Sequence, residues 1–259
     1  MTPDPRPSLS PVELKKAIDI EIKAFEQAYM WLEKHMPKSF LDAVDQETKI
    51  LIARNLMSFC MQDRFTPIYF KHKIIVLCQD GPDADLRIFK KFKNYVIRYY
   101  RAFVSNAAPP CDAEGKLRIA FLYFHDLSKT EQLGVEQKQE LFVHAREHNP
   151  HLKDEEIATL IHGITPNFLR SMAGERLSLA LAMFFRAKNR EQCQYEVRRN
   201  EHWKEKDAPS LQVVIAWRNV PKAGFLYRLA KVISSHHLAL QKVVGTYIDL
   251  SSTETILIL

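Results

Sequence analysis

A chain of 259 residues with 46% hydrophobic content can bury a substantial core, and its length suits one large domain or two smaller ones. No apolar run approaches a membrane span, and the start, Met1-Thr2-Pro3-Asp4-Pro5-Arg6, lacks the regions of a signal peptide, so the expected location is the cytoplasm. The formal charge of +6 admits an anionic partner, while four scattered cysteines (Cys60, Cys78, Cys111, Cys193) without Cys-x-x-Cys spacing argue against a zinc knuckle and a disulfide framework.

Residues 1–9 are proline-rich and read as a disordered arm. Residues 10–130 read as a helical hairpin followed by a strand-helix-strand unit. Ser10-Pro11-Val12-Glu13 has capping-box spacing with proline at the first helical position, and the helix is expected to run to about Met36. Its stripe is Leu14, Ile18, Ile22, Phe25, Tyr29, Leu32 and Met36. Such a stripe packs within the subunit or forms a self-associating coiled coil, and packing is the expectation. Pro37 ends the helix, and Asp45 is placed to cap the next, with Leu51, Leu56, Phe59 and Cys60 on its buried side. Ile68 to Cys78 reads as a strand, apolar on both faces from Ile74 and therefore central. A helix from about Ala84 to Ser105 follows, with Leu86, Phe89, Phe92, Val96, Tyr99 and Phe103 at helical spacing. Lys116 to Phe124 reads as the closing strand.

In residues 131–210 the expectation is helix from Val135 to Asn200, including a long helix starting near Pro166 and buried through Leu169, Met172, Leu177, Leu181, Phe184 and Phe185. Its tail from Arg186 to Arg199 is expected to be solvated, and Glu201–Ser210 reads as a linker. Residues 211–259 are the most legible passage. Leu211, Val213, Ile215 and Trp217 alternate with polar and smaller neighbours, which marks a strand with one buried face. After Asn219-Val220-Pro221 the spacing becomes helical through Phe225, Leu226, Leu229, Val232 and Ile233. Leu240 to Leu250 alternates again, Ser251-Ser252 reads as a hairpin turn, and Thr253 to Leu259 reads as a short apolar strand. The fold class is therefore α+β, with extensive helices.

Few enzyme signatures occur. The chain has no Gly-x-Gly-x-x-Gly, Gly-x4-Gly-Lys-Ser/Thr or Gly-x-Ser-x-Gly pattern. His144-Ala145-Arg146-Glu147-His148 matches His-x-x-Glu-His, which places two histidines on one helical face, with His151 just beyond. The segment is polar enough to be a solvated face, and no metal is expected. Phe89-Lys90-Lys91-Phe92-Lys93 and Arg98-Tyr99-Tyr100-Arg101 interleave bases with aromatics as a nucleic-acid surface would. Helical spacing instead turns those aromatics toward the core. The turn Asn219, Val220, Pro221, Lys222, Ala223, Gly224, Phe225 and Leu226 joins a strand to a helix N-terminus whose amide groups suit a carboxylate.

The strand-helix-strand-strand order and the turn at Asn219-Val220-Pro221-Lys222-Ala223-Gly224-Phe225-Leu226 resemble the first half of an ACT module. In that family proline and glycine are adjacent, whereas here Lys222 and Ala223 separate them. Over its whole length the chain resembles the N-terminal regulatory region of large NAD-dependent glutamate and related amino-acid dehydrogenases. The resemblance is carried by His35-Met36-Pro37, by Ile74-Ile75-Val76-Leu77-Cys78 with Pro82-Asp83-Ala84-Asp85-Leu86-Arg87, and by Trp217-Arg218-Asn219-Val220-Pro221-Lys222 with Phe225-Leu226-Tyr227-Arg228-Leu229.

It implies a role inside an oxidoreductase whose catalytic region lies on the same polypeptide and uses NAD. For this chain it implies no cofactor and no catalytic residues. Homo-oligomers and a small amino-acid effector bound at Asn219–Leu226 are further implications. Because the ACT fold needs another helix and strand, and Ile256–Leu259 reads as an apolar edge, the polypeptide is expected to continue past Leu259. The second function class left open is a stand-alone basic protein that binds RNA or another anion.

Overall fold

The computed structural model describes residues 10–61, 64–110, 115–124, 135–164, 174–199, 211–238, 240, 242–250 and 254–259. Among these the helices are α1 (Pro11–His35), α2 (Lys38–Ala43), α3 (Gln46–Met61), α4 (Ala84–Lys91), α5 (Val135–His148), α6 (Asp154–Gly163), α7 (Gly174–Lys188) and α8 (Phe225–Ser235). The strands are β1 (Phe65–Tyr69), β2 (Lys73–Gln79), β3 (Tyr99–Val104), β4 (Leu117–Tyr123), β5 (Gln194–Arg199), β6 (Leu211–Arg218), β7 (Lys242–Val244), β8 (Thr246–Asp249) and β9 (Thr255–Ile258). Helices with antiparallel strand pairs make this an α+β chain. The described residues fall into two compact units. One lies within Met1–Tyr69, Ile74–Ala84 and Ala102–Ala120, the other within Phe70–Lys73, Asp85–Arg101 and Phe121–Leu259.

In the first unit α1 packs against α3. Asp45 caps α3 as expected: its Oδ1 accepts from the Thr48 amide at 2.7 Å and its Oδ2 from the Thr48 hydroxyl at 2.9 Å. Leu56 and Phe59 are buried beneath it. The stripe of α1 divides. Leu32 and the following Met36 are buried, but Ile18 and Ile22 are about half exposed. The expected single strand from Ile68 to Cys78 is two, β1 and β2, which pair antiparallel with Ile68 opposite Ile75. Strands lie in the order β1-β2-β4-β3, and all five residues from Ile74 to Cys78 are buried. Burial on both faces of β2 is what a central strand requires, and each large aliphatic contributes roughly 1.5–3 kcal/mol. At the end of β2, Asp80 pairs with the buried Arg118 at 2.8 Å.

The second unit corrects two elements. The expected helix from Ala84 to Ser105 stops at Lys91, with Ile88 and Phe89 buried, and the chain turns where the Tyr95 amide bonds to the Phe92 carbonyl. From Tyr95 onward the run Tyr-Val-Ile-Arg-Tyr-Tyr favours an extended pleat, and Tyr99–Arg101 pairs with Lys242–Val244 of β7. The expected helical tail up to Arg199 contains strand β5 instead. It pairs antiparallel with β6 along its whole length, from Gln194 opposite Ala216 to Arg199 opposite Leu211. Tyr195 and Val197 alternate with Glu196 and Arg198, but both apolar residues are more than half exposed.

The alternation from Leu240 to Leu250 is also two strands rather than one. They part at Gly245, whose amide bonds to the Arg98 carbonyl at 2.8 Å, while a Cβ there would lie 3.0 Å from the Leu259 side chain. β7 thereby pairs with β3 while β8 joins the four-stranded sheet of order β5-β6-β9-β8. In that sheet β9 is central. Ile258 stands opposite both Ala216 and Thr246, and Ile256, Leu257 and Ile258 are buried, so the expected apolar edge is not exposed. One face of the sheet, through Val214, Ala216, Ile248, Ile256 and Ile258, packs on apolar residues of α5, α6 and α7. On the other face Tyr247 and Leu257 cluster with Val220 and Phe225.

The topology occurs twice. The order α3-β1-β2-α4-β3-β4, with strands arranged β1-β2-β4-β3, recurs with one strand inserted, β7, as α7-β5-β6-α8-β7-β8-β9, where the sheet is arranged β5-β6-β9-β8. An equivalent backbone bond accompanies each strand-to-helix turn. The Asp80 amide donates to the Lys116 carbonyl at 2.8 Å before β4, and the Asn219 amide donates to the Thr255 carbonyl at 2.7 Å at the start of β9. The fourth strand beside β6 is thus β5, reached from α7 upstream.

Candidate functional site

The turn from Asn219 to Leu226 is held at both ends. Asn219 takes positive φ, 56°, a conformation asparagine tolerates, and its Oδ1 accepts from the Thr255 amide at 3.1 Å. Val220 is buried, and Pro221 and Ala223 are exposed. Phe225 meets Trp217 edge to face at 6.4 Å between ring centroids, and Leu226 is buried. Gly224 is the N-cap of α8 at φ 76°, where any side chain would be strained, and it supplies no capping side chain. Its carbonyl accepts the first helical bond from the Arg228 amide at 3.1 Å. The first amides of α8 therefore lie at a glycine-capped helix start that suits an anion.

A cation and a phenol stand beside this turn. Lys222 Nζ is 3.2 Å from Asp249 and 5.6 Å from the ring centroid of Tyr247. The Tyr247 hydroxyl donates to the Lys222 carbonyl at 3.2 Å, and Arg98 lies 6.0 Å from the same ring. Burial pushes the Tyr247 phenol up to about 12, against the opposing pull of Arg98. Hydrogen bonds from Thr255 and then Lys222 hold the exposed Asp249 carboxyl below its ordinary value. Beneath the turn, between Phe92, Lys93, Tyr95, Gly224 and Tyr227, is a crevice of about 10 Å³. That is room for one water, so an amino acid would have to seat on the outer face of the turn.

The basic-aromatic stretch is resolved by burial. Phe89, Phe92 and Tyr100 are buried, and Tyr100 donates to the buried Asp85, which also accepts from the Leu240 amide at 2.8 Å. Lys90, Lys91 and Lys93 are exposed. His144 and His148 occupy backbone positions on α5, but their side chains lie outside the described residues, as do Ser251-Ser252, Pro166 and the linker Glu201–Ser210. No helix among the described residues is long and apolar enough to cross a membrane.

One cavity escaped the sequence reading. A cleft of about 460 Å³ opens between the turn that joins α5 to α6 and the C-terminal end of α7. Its signal in the sequence was the dense run Arg186, Lys188 and Arg190, which looked like a solvated helix tail. No known protein-family model matches the chain, and no curated protein matches it.

Proposed function

We propose that this chain is the regulatory and oligomerisation region of an NAD-dependent glutamate or related amino-acid dehydrogenase, acting in the cytoplasm. Its partners are a catalytic region of the same polypeptide, which supplies NAD binding and hydride transfer, and further copies of itself. A small amino-acid effector seats its carboxylate on the outer face of Asn219–Leu226, against the first amides of α8 and the ammonium of Lys222. The observation that carries this reading is the repeated strand-turn-helix topology, each copy with the same backbone bond fastening its turn. That arrangement resembles tandem ACT-like modules.

Calorimetric titration with free amino acids tests it. The parent chain is expected to bind one of them, and Lys222→Glu is expected to abolish the binding while the circular dichroism spectrum is unchanged. No binding by any of the common amino acids, or an affinity that Lys222→Glu leaves alone, removes the turn as the site. Tight binding of an RNA oligonucleotide that weakens steeply with salt would favour the stand-alone basic protein instead.

A further inference from the structure

We propose that the cleft between the α5–α6 turn and the C-terminal end of α7 binds a small organic phosphate, at a site separate from the Asn219–Leu226 turn. At about 460 Å³ it falls in the range of small-molecule pockets. Arg186 in the last turn of α7 and Arg190 just beyond its end both line it, Phe185 gives it an aromatic wall, and His151 and Asn149 face it from the α5–α6 turn. Asn149 is pinned, because it is buried and its Nδ2 donates to the Ala145 carbonyl at 3.0 Å.

Cations in the last turn of a helix ordinarily answer the negative end of its dipole, and Arg186 and Lys188 suit that role. The dipole does not account for Arg190, which lies beyond the helix end, or for the imidazole and amide converging from another element. Among the described residues the two guanidinium groups also have few close partners, Arg186 Nη1 lying 3.6 Å from the Met183 sulfur. Arg186 reaches Glu196 and Arg190 reaches Gln194 only at 3.5 Å each, the outer limit of a hydrogen bond, whereas Glu196 makes its short contact, 2.7 Å, with Arg198.

Two guanidinium groups at one cleft offer two forks of paired donors. A monocarboxylate fills one fork, whereas the oxygens of a phosphate monoester can engage both. The aromatic wall then takes the organic part, with an imidazole and an amide as further donors. Glu196 is the carboxylate that competes for Arg186.

Calorimetry on the whole chain in low-salt buffer, with phenyl phosphate as probe, inorganic phosphate as competitor and succinate as a dianionic control, decides the matter. Phenyl phosphate is expected to bind with a submillimolar dissociation constant and to be displaced by phosphate. Arg186→Gln and Arg190→Gln are each expected to weaken it at least about tenfold, the worth of a charge-assisted hydrogen bond. Glu196→Gln is expected to tighten it, an effect of opposite sign that damage to the fold would not produce. Circular dichroism should be unchanged, since both arginines are exposed. Absence of binding at about 10 mM phenyl phosphate, equal affinity in the double arginine variant, or succinate binding as tightly as the phosphate ester would overturn the assignment. The amino-acid reading of the other turn would stand untouched by any of these results.

Discussion

Replacing Ile256 or Ile258 by alanine separates a central β9 from an edge β9. Both side chains are fully buried on the face that packs against α7, and both sit between paired neighbours. Ile256 is opposite Arg218 and Ile248, and Ile258 is opposite Ala216 and Thr246. Each substitution removes three carbon groups, about 2.4 kcal/mol of transfer free energy at about 0.8 kcal/mol apiece. Incomplete collapse of the surrounding core adds a cavity term, for a total of about 2–5 kcal/mol. At about 2–4 °C per kcal/mol for a chain of this size, the melting temperature should fall by about 4–20 °C. An exposed edge position would change by no more than about 0.5 kcal/mol. Urea unfolding followed by circular dichroism gives the answer. Losses below about 1 kcal/mol at both positions, with an unchanged urea dependence, would refute a β9 buried between β6 and β8.

Asp80→Ala is expected to destabilise by about 3 kcal/mol, because it strips the carboxylate partner from an Arg118 side chain only 5% exposed. Asp80→Ala with Arg118→Met should recover most of that loss in urea unfolding; a double variant no better than the single would count against the pairing. The Tyr247 phenol holds its proton more tightly in the folded chain, about 12 against an unfolded value of 10.0. Its contribution to stability is therefore complete below about pH 10 and is lost as pH rises toward about 12. Parent and Tyr247→Phe, unfolded by urea at about pH 9 and about pH 11, should show the larger loss in the parent, and equal losses would sink the claim.

Local pattern was sufficient where one face of an element is buried and the other is not. Phe225–Ser235 repeats at helical spacing, and Ile74–Cys78 is apolar throughout because both its faces are covered. The alternation in Leu211–Arg218 marks a strand, but the face is reversed: Val214 and Ala216 are buried against the helices, whereas Leu211, Val213 and Trp217, the expected core face, are exposed. The α+β class, the Asp45 cap and the turn ahead of α8 follow from such patterns. Tertiary structure decided the elements whose pattern is ambiguous or empty. Tyr99 and Phe103 fit helical spacing as well as a strand, and it is the place between β4 and β7 in the sheet that makes the stretch extended. β5 buries neither Tyr195 nor Val197, so no hydrophobic signal marks it, and it is a strand because β6 offers an unpaired edge. Gly245 sends β7 and β8 to different sheets through contacts with Arg98 and Leu259, both remote in sequence. The cleft belongs to the same class. His151 and Arg190 are each unremarkable on their own segments, and only the packing of α7 against α5 brings them to one cavity.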